Sequence, residues 1–156
     1  MRWDLEERTE DAFCAYLRGL VTGSMRVYSA WENDEPQLPA AIVFVESTDP
    51  VSPEAEWHDE RNLAVMVAIM TEAVAEVDGS GNTIRTARER NADARSDVLN
   101  ALCVTDLNAQ IVAQGVEAIA FSKAQLVRTQ RATEDSPRTF ITTAFIEAIA
   151  EPVTGT

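Results

Sequence analysis

Arg138–Ala150 reads RTFITTAFIEAIA, thirteen residues without Gly or Pro. Its Thr, Ile and Phe side chains suit a pleated, half-buried surface. At about 3.3 Å per residue such a strand spans roughly 40 Å. A domain of this length has a radius of gyration near roughly 15 Å. The arm must therefore cross the whole domain or project beyond it. A partner arm lies upstream in Val116–Ala132, and Glu134-Asp135-Ser136-Pro137 joins the two. In the upstream arm Ile119 and Phe121 fall on odd positions and Leu126 on an even one, which predicts a bulge or break at Ser122–Gln125. In the last arm Ile141, Phe145 and Ile149 share one face, and Phe140 and Ile146 occupy the other. That pattern predicts a central strand covered on both sides. It leaves the turn end, Arg128 to Arg138, as the candidate assembly device.

The rest of the chain supplies the layers around this ribbon. Asp4–Val21 predicts an amphipathic helix, with Leu5, Ala12, Phe13, Tyr16, Leu17 and Leu20 on one face and Gly23 as its closing cap. Met25–Trp31 is a short strand candidate. Ala40–Ser47, AAIVFVES, is nearly continuous in apolar residues and predicts an inner strand with both faces covered. Thr48–Asn62 reads as a loop rich in Pro and acids, and Leu63–Val77 as a strand throughout. Asp78–Asn82 is a turn cluster. Thr83 is placed to cap a helix over Ile84–Leu102, and Asp106–Gln114 predicts a shorter helix closed by Gly115. Glu151–Thr156 reads as a loose tail. The order predicts an α+β fold: one domain over 1–156, a two-layer sandwich with a mostly antiparallel or mixed sheet. An N-terminal helix and a long central helix pack on one face of it.

Composition narrows the chemistry. The chain has 156 residues, enough to bury a core without metal or disulfide staples. Twenty-six acids face thirteen basic residues, for a net charge of −13. A chain this acidic repels phosphate backbones, which argues against sequence-independent nucleic-acid binding. The charge suits a solvated surface, or a surface along which DNA slides without sticking. Cys14 and Cys103 sit far apart beside apolar neighbours and read as small buried hydrophobes. No signal peptide and no membrane span is expected, which predicts a soluble protein made in the cytoplasm.

No catalytic, cofactor or metal constellation stands out. His58 is the single histidine, flanked by Trp57 and Asp59, and lacks the spaced His or Cys partners of a transition-metal site. No G-x-S-x-G elbow or Gly-rich phosphate fingerprint occurs; Gly79-Ser80-Gly81 reads as a plain turn. The expectation is a protein without enzymatic activity and without cofactors. Candidate interface residues are Trp57 with Arg61, since Trp and Arg are enriched at interfaces. Arg128, Arg131 and Arg138, beside Glu134 and Asp135, can pair across the hairpin or across subunits.

In order and pattern the chain resembles the tail-terminator proteins (tail-completion or minor tail proteins) of long-tailed bacteriophages. The N-terminal helix DLEERTEDAFCAYLRGLV, the strand segments QLPAAIVFVES and NLAVMVAIMTEA, the helical ARSDVLNAL and the closing RTFITTAFIEAIAE carry the resemblance. The resemblance implies a virion structural protein: a hexameric ring that ends tail-tube polymerisation and offers the head-attachment surface. It further implies tail-tube and head-connector partners, a place at the head–tail interface of the virion, and DNA passing through a lumen. Alternative readings are another head–tail connector, a tail-tube subunit, or a soluble α+β ligand-binding or enzyme subunit.

Overall fold

The structure, a computed structural model, describes residues 5–21, 25–30, 32, 36–54, 60–114, 119–135 and 138–152. Its centre is a pair of antiparallel strands, β3 (Arg61–Glu72) and β7 (Arg138–Pro152), in unbroken register from Arg61↔Ala150 to Glu72↔Thr139. On one side β3 pairs with β2 (Ala40–Pro50), and β2 pairs in parallel with the short β1 (Arg26–Ser29). On the other side β7 pairs with β6 (Ile119–Asp135). The sheet order is β1-β2-β3-β7-β6, mixed but mostly antiparallel. A separate two-stranded piece joins β4 (Glu76–Val77) to β5 (Thr83–Arg85). The fold is α+β, as expected.

Among the described residues three helices form the second layer: α1 (Leu5–Arg18), α2 (Ala87–Leu102) and α3 (Leu107–Val112). Along β3 the odd residues Leu63, Val65, Val67 and Ile69 are buried beneath them, and along β7 the even residues Ala144, Ile146 and Ala148. Period-two alternation places these on one face. Phe13 of α1 meets Phe121 of β6 edge to face, with ring centroids 6.0 Å apart. Tyr16 Oη donates to the Ala101 carbonyl at 2.5 Å, joining α1 to the end of α2. Glu10, itself buried, accepts the Val45 N–H at 2.9 Å beside the register shift between Val45 and Ser47. The bulge frees a strand donor and the helix supplies its acceptor.

Several expectations are corrected. The predicted loop Thr48–Asn62 is shorter, because β2 and β3 continue as paired arms to Pro50 and Arg61. Beyond Val43, β2 has lost its β1 partner and is an edge strand, where Pro50 costs no ladder bond. The strand expected to reach Val77 stops at Glu72; the chain turns and Glu76–Val77 pairs with Thr83–Arg85 instead. Helix α2 starts at Ala87, not Ile84. Thr86 caps it, and Glu89 completes a reciprocal capping box. Ile84 lies exposed on β5. Cys14 is buried as expected, and burial pushes its thiol up to about 12. Cys103 is exposed at the C-cap of α2, and Leu20 is exposed beyond α1. The inward parity of β6 does shift, through two bulges: one between Phe121 and Lys123, one between Leu126 and Arg128. The strand itself continues. The expected caps Gly23 and Gly115 lie outside the described residues.

The two inner strands expected to be covered on both sides are covered on one. Among the described residues, Ile42, Phe44, Met66, Met70, Ile141, Phe145 and Ile149 share the face away from the helices and stay partly exposed. A near-continuous apolar run marks an inner strand but does not by itself supply a second layer.

Two predictions follow from the helix layer. Phe13→Ala removes a fully buried ring at the α1–β6 contact and should cost about 3–5 kcal/mol in urea unfolding. Glu32 accepts the Ser29 N–H at 2.8 Å and an Arg18 N–H at 3.2 Å. The Ser29 bond foremost, then the Arg18 charge, lowers its pKa from 4.5. A carboxyl lowered on folding stabilises fully above its unfolded value, and that share is lost as pH falls through the folded one. Glu32→Gln should therefore make the fall in the urea midpoint below pH 4.5 shallower, and leave its slope at neutral pH unchanged.

Candidate assembly interface

The outer strand β6 is buried at one end and exposed at the other, while β7 beside it stays paired with β3 as far as Thr139. Ile119, Phe121 and Ala124 of β6 are buried against α1 and α3, with Leu126 partly buried beside them. From Val127 to Glu134 every residue of β6 is exposed. Along its turn half β6 is therefore an exposed outer edge, paired with β7 on its inner side and with no strand on its outer side among the described residues. An unpaired strand edge presents a row of backbone donors and acceptors to whatever meets it.

The charged residues on this half are deployed in different ways. Arg128 lies over the Phe145 ring, 3.7 Å from guanidinium carbon to ring centroid, and Nη1 donates to Gln130 Oε1 at 3.4 Å. Arg128 and Phe145 are register partners, so this is a cross-strand pair on the open face. Arg131 stands opposite Thr142, and Glu134 opposite Thr139. Among the described residues neither Arg131 nor Glu134 makes an ion pair. Asp135 and Arg138 close the register at the turn. At the anchored end Lys123 Nζ reaches Glu147 Oε2 at 3.4 Å, an exposed pair that contributes little stability. The hairpin thus keeps its basic side chains largely in solvent within a chain of net charge −13.

The other candidates separate from this cluster. Arg61 is only 5% exposed at the start of β3, registered between Pro50 and Ala150. Its guanidinium belongs to the interior and offers little surface to a partner. Trp57, and His58 beside it, lie outside the described residues. The sequence reading missed Arg88, on the first turn of α2, which shares a cleft with Arg131. It also missed the Arg128–Phe145 pair. Register alone would have exposed that pair, once the second bulge was placed between Leu126 and Arg128.

No protein-family model and no curated protein sequence matches this chain. Among solved structures, a chain described as "Virion of native gene transfer agent (GTA) particle" shares the fold, with a TM-score of 0.52 and 13% sequence identity. The match covers 95% of this chain and 99% of that one. At this identity the likeness is one of fold. It takes in the helix layer, the mixed sheet and the hairpin together, since so little of either chain is left over.

The two arginines should differ in what they do for the subunit. Arg128→Ala should cost about 0.5–1 kcal/mol in urea unfolding, by uncovering the Phe145 ring. Arg131→Ala should stay within about 0.5 kcal/mol, the usual range for an exposed side chain without partners.

Proposed function

We propose that this chain is a structural protein of a phage-like virion, built to assemble with copies of itself. The observation that carries this reading is the end-to-end fold likeness to a chain of a gene transfer agent virion. The exposed outer edge of β6 supports it, because a long unpaired edge with solvent-facing basic residues can pair with another chain. In the finer reading the chain is a tail terminator. Six copies close into a ring that stops tail-tube growth and presents a face to the head connector.

The physics of such a ring fits the subunit. A closed ring needs a heterologous contact, in which one patch meets a different patch on its neighbour. The hairpin end of β6 can be one patch, and the short β1 edge with the open sheet face lies elsewhere on the molecule. The acidic surface suits a lumen that passes DNA without holding it.

Light scattering of the purified full chain across a concentration series tests the reading: a hexamer is expected. A monomer at every concentration, with no binding to tail tubes, would overturn it. A variant with Glu134–Pro137 shortened to Asn-Gly should keep the circular dichroism and unfolding midpoint of the parent and lose ring formation. If that variant assembles normally, the hairpin end is not the interface.

A further inference from the structure

Between the start of α2 and the free half of the hairpin lies a cleft of about 410 Å³. Arg88, Asn91, Arg131, Thr133, Phe140 and Thr142 line it. Its two cations come from different elements: Arg88 from the first turn of α2, Arg131 from the exposed half of β6. Among the described residues neither makes an ion pair or a side-chain hydrogen bond. Two neighbouring carboxylates are accounted for. Glu89 accepts from Thr86 in the capping box. Glu134 is three residues from Arg131, so strand alternation places it on the opposite face.

The floor of the cleft carries a second, independent sign of a missing partner. Thr142 is 1% exposed, and among the described residues its Oγ1 has no hydrogen-bond partner. Its neighbour Asn91 turns its Nδ2 away to Thr71, donating to Oγ1 at 2.9 Å. A buried hydroxyl left without a partner costs about 1–3 kcal/mol. Phe140 adds an apolar wall. Two guanidiniums, an unpaired hydroxyl and an aromatic wall together make a receptor for a carboxylate on an otherwise compact segment.

We propose that this cleft receives a carboxylate-bearing segment of a second copy of this chain. Arg88 and Arg131 grip the carboxylates from two sides, and Thr142 Oγ1 donates to the same guest. The inference rests on the self-assembling reading above and names where the contact is made. Charge complementarity selects the occupant. Every copy carries twenty-six acidic residues against thirteen basic ones, so a neighbour brings carboxylates to a cleft that has none engaged with its arginines. The same net charge of −13 repels a nucleic-acid backbone from the molecule as a whole. The cleft also adjoins the unpaired β6 edge, so a guest seated in it can contact the edge at the same time.

Sedimentation velocity of the full chain at low and high salt tests the proposal. The parent protein should self-associate, and more weakly at high salt. R88Q/R131Q should associate at least about tenfold more weakly with an unchanged unfolding midpoint, because both side chains are exposed and unpaired. R88K/R131K should fall between the two, keeping the charge and losing the bidentate geometry. T142V separates an interface role from a structural one: its unfolding midpoint should hold or rise while association weakens. Assembly of R88Q/R131Q indistinguishable from the parent would overturn the cleft assignment and leave the assembly reading standing. A parent protein that stays monomeric would overturn both. Binding of a labelled DNA oligonucleotide that is lost in R88Q/R131Q, with assembly intact, would assign the cleft to nucleic acid and overturn it too.

Discussion

The pairing of β3 with β7 is the constraint on which the other elements depend. It joins residues 61–72 to residues 139–150 in twelve consecutive register pairs. Every other strand of the large sheet is placed relative to it, β2 and β1 outward from β3, β6 outward from β7. Because side chains alternate with period two, fixing this one register also fixes which residues face the helices. A slip of β7 by one residue against β3 would turn Ala144, Ile146 and Ala148 to the open face and bring Phe145 under the helices. The contact is also distant in sequence, so chain entropy must be spent before it forms. The local elements are correspondingly well marked. The Thr86–Glu89 box starts α2, and Asp78 closes the turn before it by accepting the N–H groups of Ser80 and Asn82 at 2.8 and 2.9 Å. Gly81 takes a φ of 82°, which a side chain would resist.

The helix layer converts this sheet into a two-sided object. Helix α1 is held to it at three levels: Glu10 on the β2 bulge, Phe13 on Phe121, and Arg18 on the Val27 carbonyl at 2.7 Å. Tyr16 ties the same helix to α2, and burial raises its pKa above 10. All of these interactions serve one face. The opposite face keeps a band of Ile, Phe and Met side chains that shield one another without a second layer over them. Among the described residues the sheet is thus covered on one side and open on the other, with one long outer edge.

Much of this was legible in the sequence. The amphipathic period of α1 and the long β arms follow from side-chain pattern, because burial on one face imposes the pattern directly. The parity shift in β6 was visible as well, since a bulge moves every later side chain to the other face. The errors lie where pattern is degenerate. Residues Ala73–Val77 read as continued strand, because Val and Ala do not distinguish a strand from the turn and short hairpin that follow. Thr83 and Thr86 both offer a capping hydroxyl, and only the Glu three residues after Thr86 separates them. Coverage of both faces was overread because apolar content reports burial demand and not the layer that meets it. The cleft was not legible at all. Arg88 and Arg131 are forty-three positions apart in sequence, and only the packing of α2 on the sheet brings them to one cleft.

The placement of charge and bulges on β6 bears on how a free edge can be specific. A long, flat, apolar edge pairs indiscriminately and aggregates. Here the lower half of the edge is interrupted at Ser122 and Val127, each the extra residue of a bulge. It also carries the Lys123–Glu147 pair and an exposed Val127 that the bulge turns out of the ladder. Bulges increase local twist and break the row of evenly spaced donors, so regular pairing along this stretch is blocked. Beyond Arg128 the register with β7 runs without interruption to Asp135. Only this upper stretch offers a regular edge, and it is the stretch beside the two unpaired arginines. Backbone pairing supplies affinity without discrimination, whereas a paired guanidinium site rejects partners that lack a carboxylate at the right height. In the proposed contact the edge therefore supplies affinity and the cleft supplies selection for an acidic copy of the same chain.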